Sequence, residues 1–200
     1  MFIKTDGTLW ATGSNGYGQL GAGTTTDVNM PVQVASGVAS VAAGSIHTMF
    51  VKVDGTMWAM GNNSFGQFCN GTTPLISADS PVQVASGVAS VKTGANANHT
   101  LFIKTDGTFW EAGWNVHGQL GDGTTTDRRT PIQLPSGVVS FAAGGAYTMF
   151  VRSDGVLLGM GGNFYGQLGD GTTTDRSMPV PIFGTTIVAP SNAVISITVE

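Results

Sequence analysis

Apolar positions in this chain come in short runs, each closed by a turn residue. Val38 to Ala42 (VASVA) alternates apolar with small side chains, the period of a strand buried on at least one face. Gly44 ends that run. Thr48 to Val53 (TMFVKV) reads as a second strand from its β-branched and aromatic content, and Thr56 to Met60 (TMWAM) as a third. Asp54-Gly55 between them predicts a tight hairpin with both turn residues at positive φ. A Gly-rich loop, GNNSFGQFCNG, follows from Gly61 to Gly71. Pro81 then opens a short strand, PVQV, and a strand-opening Pro suits an outer edge that needs no ladder donor. The unit is four short antiparallel strands without a helix, which is one propeller blade.

The same pattern returns along the whole chain. Its hairpin recurs as Asp6-Gly7, Asp54-Gly55, Asp106-Gly107 and Asp154-Gly155, spaced 48, 52 and 48 residues apart. The Gly-Gln pairs at 18–19, 66–67, 118–119 and 166–167 keep the same spacing. Two of the extra residues of the longer interval fall between Cys69 and Ser80, and two between Ala95 and His99. Both are turn-rich segments, where insertion costs little. A period near 50 residues marks a propeller or a solenoid.

The pattern DGTLWATGSNGYGQLGAG…PVQV…VASVAAGSIHTMF resembles the repeat of the regulator of chromosome condensation family, in four copies from Met1 to Pro181. The combination of G-x-N-x-x-G-Q with A-x-G-x-x-H-T carries the resemblance. It implies an all-β propeller of four-stranded blades, usually seven of them, whereas four repeats are present here. The expected blades are about 1–34, 35–84, 85–134 and 135–186. The chain enters its first blade at the second strand, so that blade lacks an innermost strand. Residues 187–200 (IVAPSNAVISITVE) can be laid over the inner strand of the second unit, with Val194 on Val38, Ser196 on Ser40 and Ile197 on Val41. Three outcomes follow: a ring closed by this C-terminal strand, an open arc whose free edges pair in a homo-oligomer, or a neighbouring domain beginning near Ile187.

Composition narrows the function classes. Charged residues are 10% of the chain against a typical ~25%, and the net charge is −4 with a pI near 5.1. Without a basic stripe, nucleic acid is not an expected partner. The single Cys69 excludes an intrachain disulfide framework and reads as a tolerated replacement of the Gly at 21, 121 and 169. No run of 18 apolar residues predicts membrane insertion. Met1 runs straight into strand-like FIKTDG, so no secretory leader is expected, and the abrupt start suits a segment of something larger. Low charge with abundant Thr, Ser, Asn and Gly points to an extracellular or cell-surface setting, with the cytoplasm as the alternative.

Motifs with catalytic or binding associations are better explained by the repeat. GYGQLG at 16–21 fits a dinucleotide fingerprint, yet no helix can follow it. DGTTTD at 122–127 and 170–175 lacks the further oxygen ligands of a calcium loop and reads as a turn. His47 and His99 share a place taken by Tyr147, which argues for a packing role. Asn15, Asn63, Asn115 and Asn163, and Trp10, Trp58 and Trp110, recur blade by blade and read as scaffold. No catalytic residue, metal site or cofactor is expected. The residues that vary between otherwise equal loops are the recognition candidates. They are Asn62 and Trp114 at one loop position, and Tyr17, Phe65, His117 and Tyr165 at another.

The favoured reading is a non-catalytic recognition or scaffold propeller of a bacterial secreted or surface protein, taking a protein or glycan ligand through its loops. The family resemblance implies a second class, a guanine-nucleotide exchange factor for a small GTPase. A secreted enzyme inhibitor is a third, since a bacterial β-lactamase inhibitor looks like a shortened version of this repeat. The likeness between copies, PVQVASGVASV at both Pro31 and Pro81, also suits an engineered or recently duplicated fragment.

Overall fold

The computed structural model describes residues 1–72 and 77–186, the last four of these by backbone alone. Fifteen strands and no helix are present among them, in four antiparallel sheets taken in chain order. The first sheet holds β1 (Phe2–Ile3), β2 (Leu9–Gly13) and β3 (Val28–Ala35). The second holds β4 (Val38–Ala43), β5 (His47–Lys52), β6 (Met57–Gly61) and β7 (Ala78–Ala85). The third holds β8 (Val88–Lys92), β9 (His99–Lys104), β10 (Phe109–Gly113) and β11 (Arg128–Gln133). The fourth holds β12 (Val138–Ala143), β13 (Tyr147–Arg152), β14 (Val156–Gly161) and β15 (Arg176–Thr186). Each strand pairs with its sequence neighbour, so each sheet is a meander. The fold is that of propeller blades.

Three inner strands, β4, β8 and β12, pack against one another. They line a groove of about 550 Å³ whose walls are mostly Ser, Ala, Val and Thr, with Lys92 as the one charged side chain among the described residues. The first sheet has three strands among the described residues. Residues 187–200, the candidate for its missing strand, lie outside the described residues.

The core lies between blades rather than within them. One cluster joins Leu9 of the first blade to Val38, Phe50 and Met60 of the second. A second joins Met49, Met57, Phe68 and Cys69 to Val91, Phe102 and Ala112. A third joins Leu101 and Phe109 to Phe141, Phe150 and Met160. Each buried Phe or Met is worth about 1.5–3 kcal/mol relative to exposure. A blade alone would leave these faces wet, which is why the order belongs to the stack.

Two local expectations are corrected. Among the described non-Gly residues only Cys69 has positive φ, so Asp6, Asp54, Asp106 and Asp154 do not form two-residue turns. In the second blade Gly55 N–H donates to Lys52 O, and Lys52 N–H donates to Thr56 O. That is a three-residue loop ending in a left-handed Gly at φ 79°. Asp54 instead accepts from the amide and hydroxyl of Thr56 at 2.9 and 2.6 Å. Pro81 lies inside β7 rather than at its start, as Pro31 does in β3 and Pro131 in β11. All three strands are outermost in their sheets, and each Pro falls where the register to the neighbouring strand shifts, so its missing N–H is tolerated.

Candidate recognition rim

Each Gly-rich loop is held by its own polar residues. Asn15, buried, accepts from Leu20 N–H at 2.9 Å and donates to the carbonyls of Thr24 and Thr26 at 2.8 and 3.0 Å. Asn115 and Asn163 repeat this arrangement. The Gln of each Gly-Gln pair accepts from the amide two residues earlier, at 2.9 to 3.0 Å. The Asp closing each TTTD run accepts from the Asn amide: Asp27 from Asn15, Asp127 from Asn115, Asp175 from Asn163. Asp122 and Asp170 each cap the amide and hydroxyl of the Thr two residues on and pair with Arg128 and Arg176. These carboxylates are committed to turns, and no group of three metal-ligating residues occurs among the described residues.

The His and Thr of the repeat bind neighbouring blades together. Thr100 donates to the carbonyl of Gln67 at 2.8 Å, which uses its one proton. Its oxygen therefore accepts from His47 Nε2–H at 3.1 Å, fixing His47 as the neutral Nε2–H tautomer. His99 meets Thr148 of the fourth blade in the same way at 3.0 Å. Burial lowers the pKa of His47 to about 4 and that of His99 to about 3. Both are neutral structural groups at pH 7. Trp10, Trp58 and Trp110 are scaffold too: each indole N–H donates to the Thr two residues before it, under a Lys ammonium 3.7 to 4.5 Å from the ring.

With the loops fixed this way, the two variable positions meet between the second and third blades. The Phe65 ring lies 6.2 Å from Trp114 of the next blade. Trp114 packs edge-on to His117 at 5.4 Å. His117 Nδ1 lies 2.8 Å from Asp175 Oδ2 in the fourth blade. Burial opposes the Asp175 charge, and the bonds from His117 and from Asn163 N–H outweigh it, holding this carboxyl below its usual value. Trp114, Phe65 and His117 are half-buried, whereas Tyr17 is 51% and Tyr165 87% exposed. Asn62 is drawn inward: it is 9% exposed, and its Oδ1 accepts from Ser64 N–H and Gln67 Nε2. Phe65, Trp114 and His117 thus form one run, Tyr17 and Tyr165 are exposed on the equivalent loops of the first and fourth blades, and Asn62 is turned into its own loop.

Sequence reasoning missed Phe164 and Val116, which are 75% and 54% exposed on the same loops. They occupy the repeat position of Gly16 and Ser64, so the comparison that singled out the other residues would have found them. It also missed Asp175, whose partner across the junction no spacing reveals.

Residues 6–51 and 106–151 match the regulator of chromosome condensation (RCC1) repeat, and residues 38–67 match a second description of that repeat. No curated protein matches the chain. Among solved structures, human WBSCR16 superposes with a TM-score of 0.79 at 20% identity, over 90% of this chain and 50% of that one. Prp20p from Saccharomyces cerevisiae, described with its binding properties to Gsp1p and histones, gives 0.76 at 22% identity over 90% and 47%. The structure of Kap60 bound to yeast RCC1 (Prp20) gives 0.74 at 18% identity over 93% and 48%. The chain spans about half the length of these structures, and at such identities the likeness is one of fold.

Proposed function

The chain belongs to the regulator of chromosome condensation repeat family, and from that premise we propose that it is a protein-recognition propeller whose binding surface is the aromatic loop rim. One observation carries this reading: the Phe65–Trp114–His117 run crosses a blade junction without interruption, and the equivalent loops of the first and fourth blades expose Tyr17, Phe164 and Tyr165. Rigid aromatic rings that present large area at small entropic cost are the usual anchors of a protein interface. The loops beneath them are pre-organised by the Asn, Gln and Asp bonds, so little ordering is left for binding. The net charge of −4 favours a neutral or basic partner surface. An extracellular or cell-surface setting belongs to this reading and is supported by the low charge content.

The regulator of a small GTPase is the second reading, supported by the likeness to Prp20p, whose description includes Gsp1p binding. One experiment separates the two and tests the rim. Release of labelled guanine nucleotide from a panel of small GTPases is measured beside binding to protein and glycan arrays, for the native chain and Trp114→Ala. A protein ligand bound at least about tenfold more weakly by Trp114→Ala supports the rim. Binding confined to glycans, or protein binding unmoved by the substitution, overturns it.

A further inference from the structure

Trp114 departs from its counterparts in the other blades, and the departure has a cost. In the second blade the equivalent Asn62 accepts from Gln67 Nε2 at 3.2 Å. Trp114 has no acceptor to offer, and Gln119 Nε2, on a fully buried side chain, is left without a partner among the described residues. A buried donor left unpaired costs about 1–3 kcal/mol. The other three tryptophans donate their indole N–H to a Thr and lie under a Lys. Trp114 Nε1–H has no partner among the described residues, and its ring is half-buried between Phe65 and His117. A residue that breaks the local rule of its repeat without a structural return is expected at a functional site.

An uncommitted cation stands at the same junction. Arg128, Arg152 and Arg176 pair with Asp122, Asp154 and Asp170. Lys4, Lys52, Lys92 and Lys104 each lie over an aromatic ring. Arg129, exposed in β11, pairs with no carboxylate among the described residues. Residues 73–76 (TPLI), outside the described residues, carry no acidic side chain. Two described blades fix the place of Arg129: Gly71 N–H donates to its carbonyl at 3.0 Å, and an added Cβ on Gly66 would stand 3.0 Å from its Cγ. The arginine stem therefore crosses the loop of the second blade beside Phe65. This position differs in every blade, as Asn29, Asp79, Arg129 and Ser177. It borders a groove of about 510 Å³ along residues 126–132, where Asp127 is bonded to Asn115 N–H and Arg128 to Asp122.

We infer that the junction of the second and third blades takes the carboxylate of an aspartate or glutamate in a partner protein, with Arg129 as its counter-ion. The inference rests on the rim reading above and names the group that the rim selects. Phe65 and Trp114 cover the apolar stem beside that carboxylate, and Trp114 Nε1–H offers a further donor. Closing the partner over the guanidinium dries the pair, and charge-assisted bonds gain most there. One uncommitted cation matches the single charge of a carboxylate rather than the nearly double charge of a phosphate. The net charge of −4 disfavours a partner that is acidic overall. What is selected is one acidic side chain set in a neutral or basic surface.

Random peptides displayed on phage and selected on the native 200-residue chain test it. Asp or Glu beside an aromatic or aliphatic residue is expected among the selected peptides, against the repulsion of the chain's own net charge. For the strongest peptide, replacing its acidic residue by the corresponding amide is expected to weaken binding about tenfold to the native chain and less than about twofold to Arg129→Gln. Arg129 is exposed, so circular dichroism of that variant should stay native-like. An empty selection, a selection without acidic residues, or an amide effect that persists in Arg129→Gln overturns the inference. Binding weakened by Trp114→Ala but not by Arg129→Gln keeps the rim and removes the carboxylate site. Binding weakened by Arg129→Gln but not by Trp114→Ala keeps the carboxylate site and removes the rim. Binding that neither substitution moves removes both.

Discussion

Cys69 and Ala112 share the cluster that joins the second and third blades. At the corresponding junctions the loop residue is Gly21 or Gly121 and the facing residue is Met60 or Met160. A Cβ on either Gly would come within 2.2 to 2.3 Å of the Met sulfur. The junction is therefore filled from one side or the other: a large Met meets Gly, and a small Ala meets Cys. Cys69 is not merely tolerated, because it occupies the volume that Ala112 leaves. It does so at φ 60°, a conformation that among the described residues otherwise belongs to Gly.

That exchange predicts coupled energetics. Ala112→Met alone should overpack the junction and cost about 1–3 kcal/mol. Combined with Cys69→Gly it should recover most of that loss, giving a coupling of at least about 0.5 kcal/mol in a double-mutant cycle. Urea unfolding of the four proteins reads this directly. Additive costs would show that the two residues do not share the space.

The His–Thr relay predicts an acid-side loss of stability. An unfolded His titrates near 6.5, whereas His47 and His99 titrate near 4 and 3 when folded. Below pH 6.5 the unfolded chain takes up protons that the folded chain refuses. Stability from these groups is complete above pH 6.5 and falls on acidification toward pH 4 and 3. Replacing both with Tyr, the residue of blade 4, should flatten the melting temperature between pH 6.5 and 4. Thr100→Val, which leaves Gln67 O and the His47 N–H unpaired, should cost about 1–3 kcal/mol at pH 7.

Glu111 acts in the opposite sense. It is fully buried, neither carboxylate oxygen has a partner among the described residues, and burial holds its pKa well above the usual value. The equivalent residues are Ala11, Ala59 and Gly159. The folded chain keeps a proton that the unfolded chain releases near pH 4.5, so this contribution is complete below that pH and declines as pH rises. Glu111→Met, similar in volume and uncharged, should raise stability at pH 7 to 8 by at least about 1 kcal/mol. Thermal unfolding of the pair at pH 4 and pH 8 should show a gap that widens with pH.

Glycines at the junctions differ from glycines at the turns. Gly107 at φ 81° has nothing within 4 Å of an added Cβ, whereas at Gly66, φ 85°, that atom would lie 2.6 Å from Arg129 Cα. Gly107→Ala should cost about 1 kcal/mol, the backbone term alone. Gly66→Ala should cost several times as much, because two blades must separate. Equal costs in chemical denaturation would contradict close contact at this junction.

Alternating short strands, the spacing of Asp-Gly and Gly-Gln pairs and the matching of repeats made the all-β blade legible from residues alone. Those signals are local: strand period, turn chemistry and recurrence act over a few residues or one repeat. The scaffold roles of the Asn and Trp sets were legible for the same reason, since a residue present in most copies serves every copy. What Tyr17, Phe65, Trp114, His117 and Tyr165 have in common required the packed blades. Phe65 and Trp114 are 49 positions apart, and His117 and Asp175 are 58 apart; only the rotation of one blade onto the next makes them neighbours. The inward turn of Asn62 and the Cys69–Ala112 exchange belong to the same class. They depend on which side chain fills a junction, and a junction is a relation between two repeats that neither repeat encodes alone.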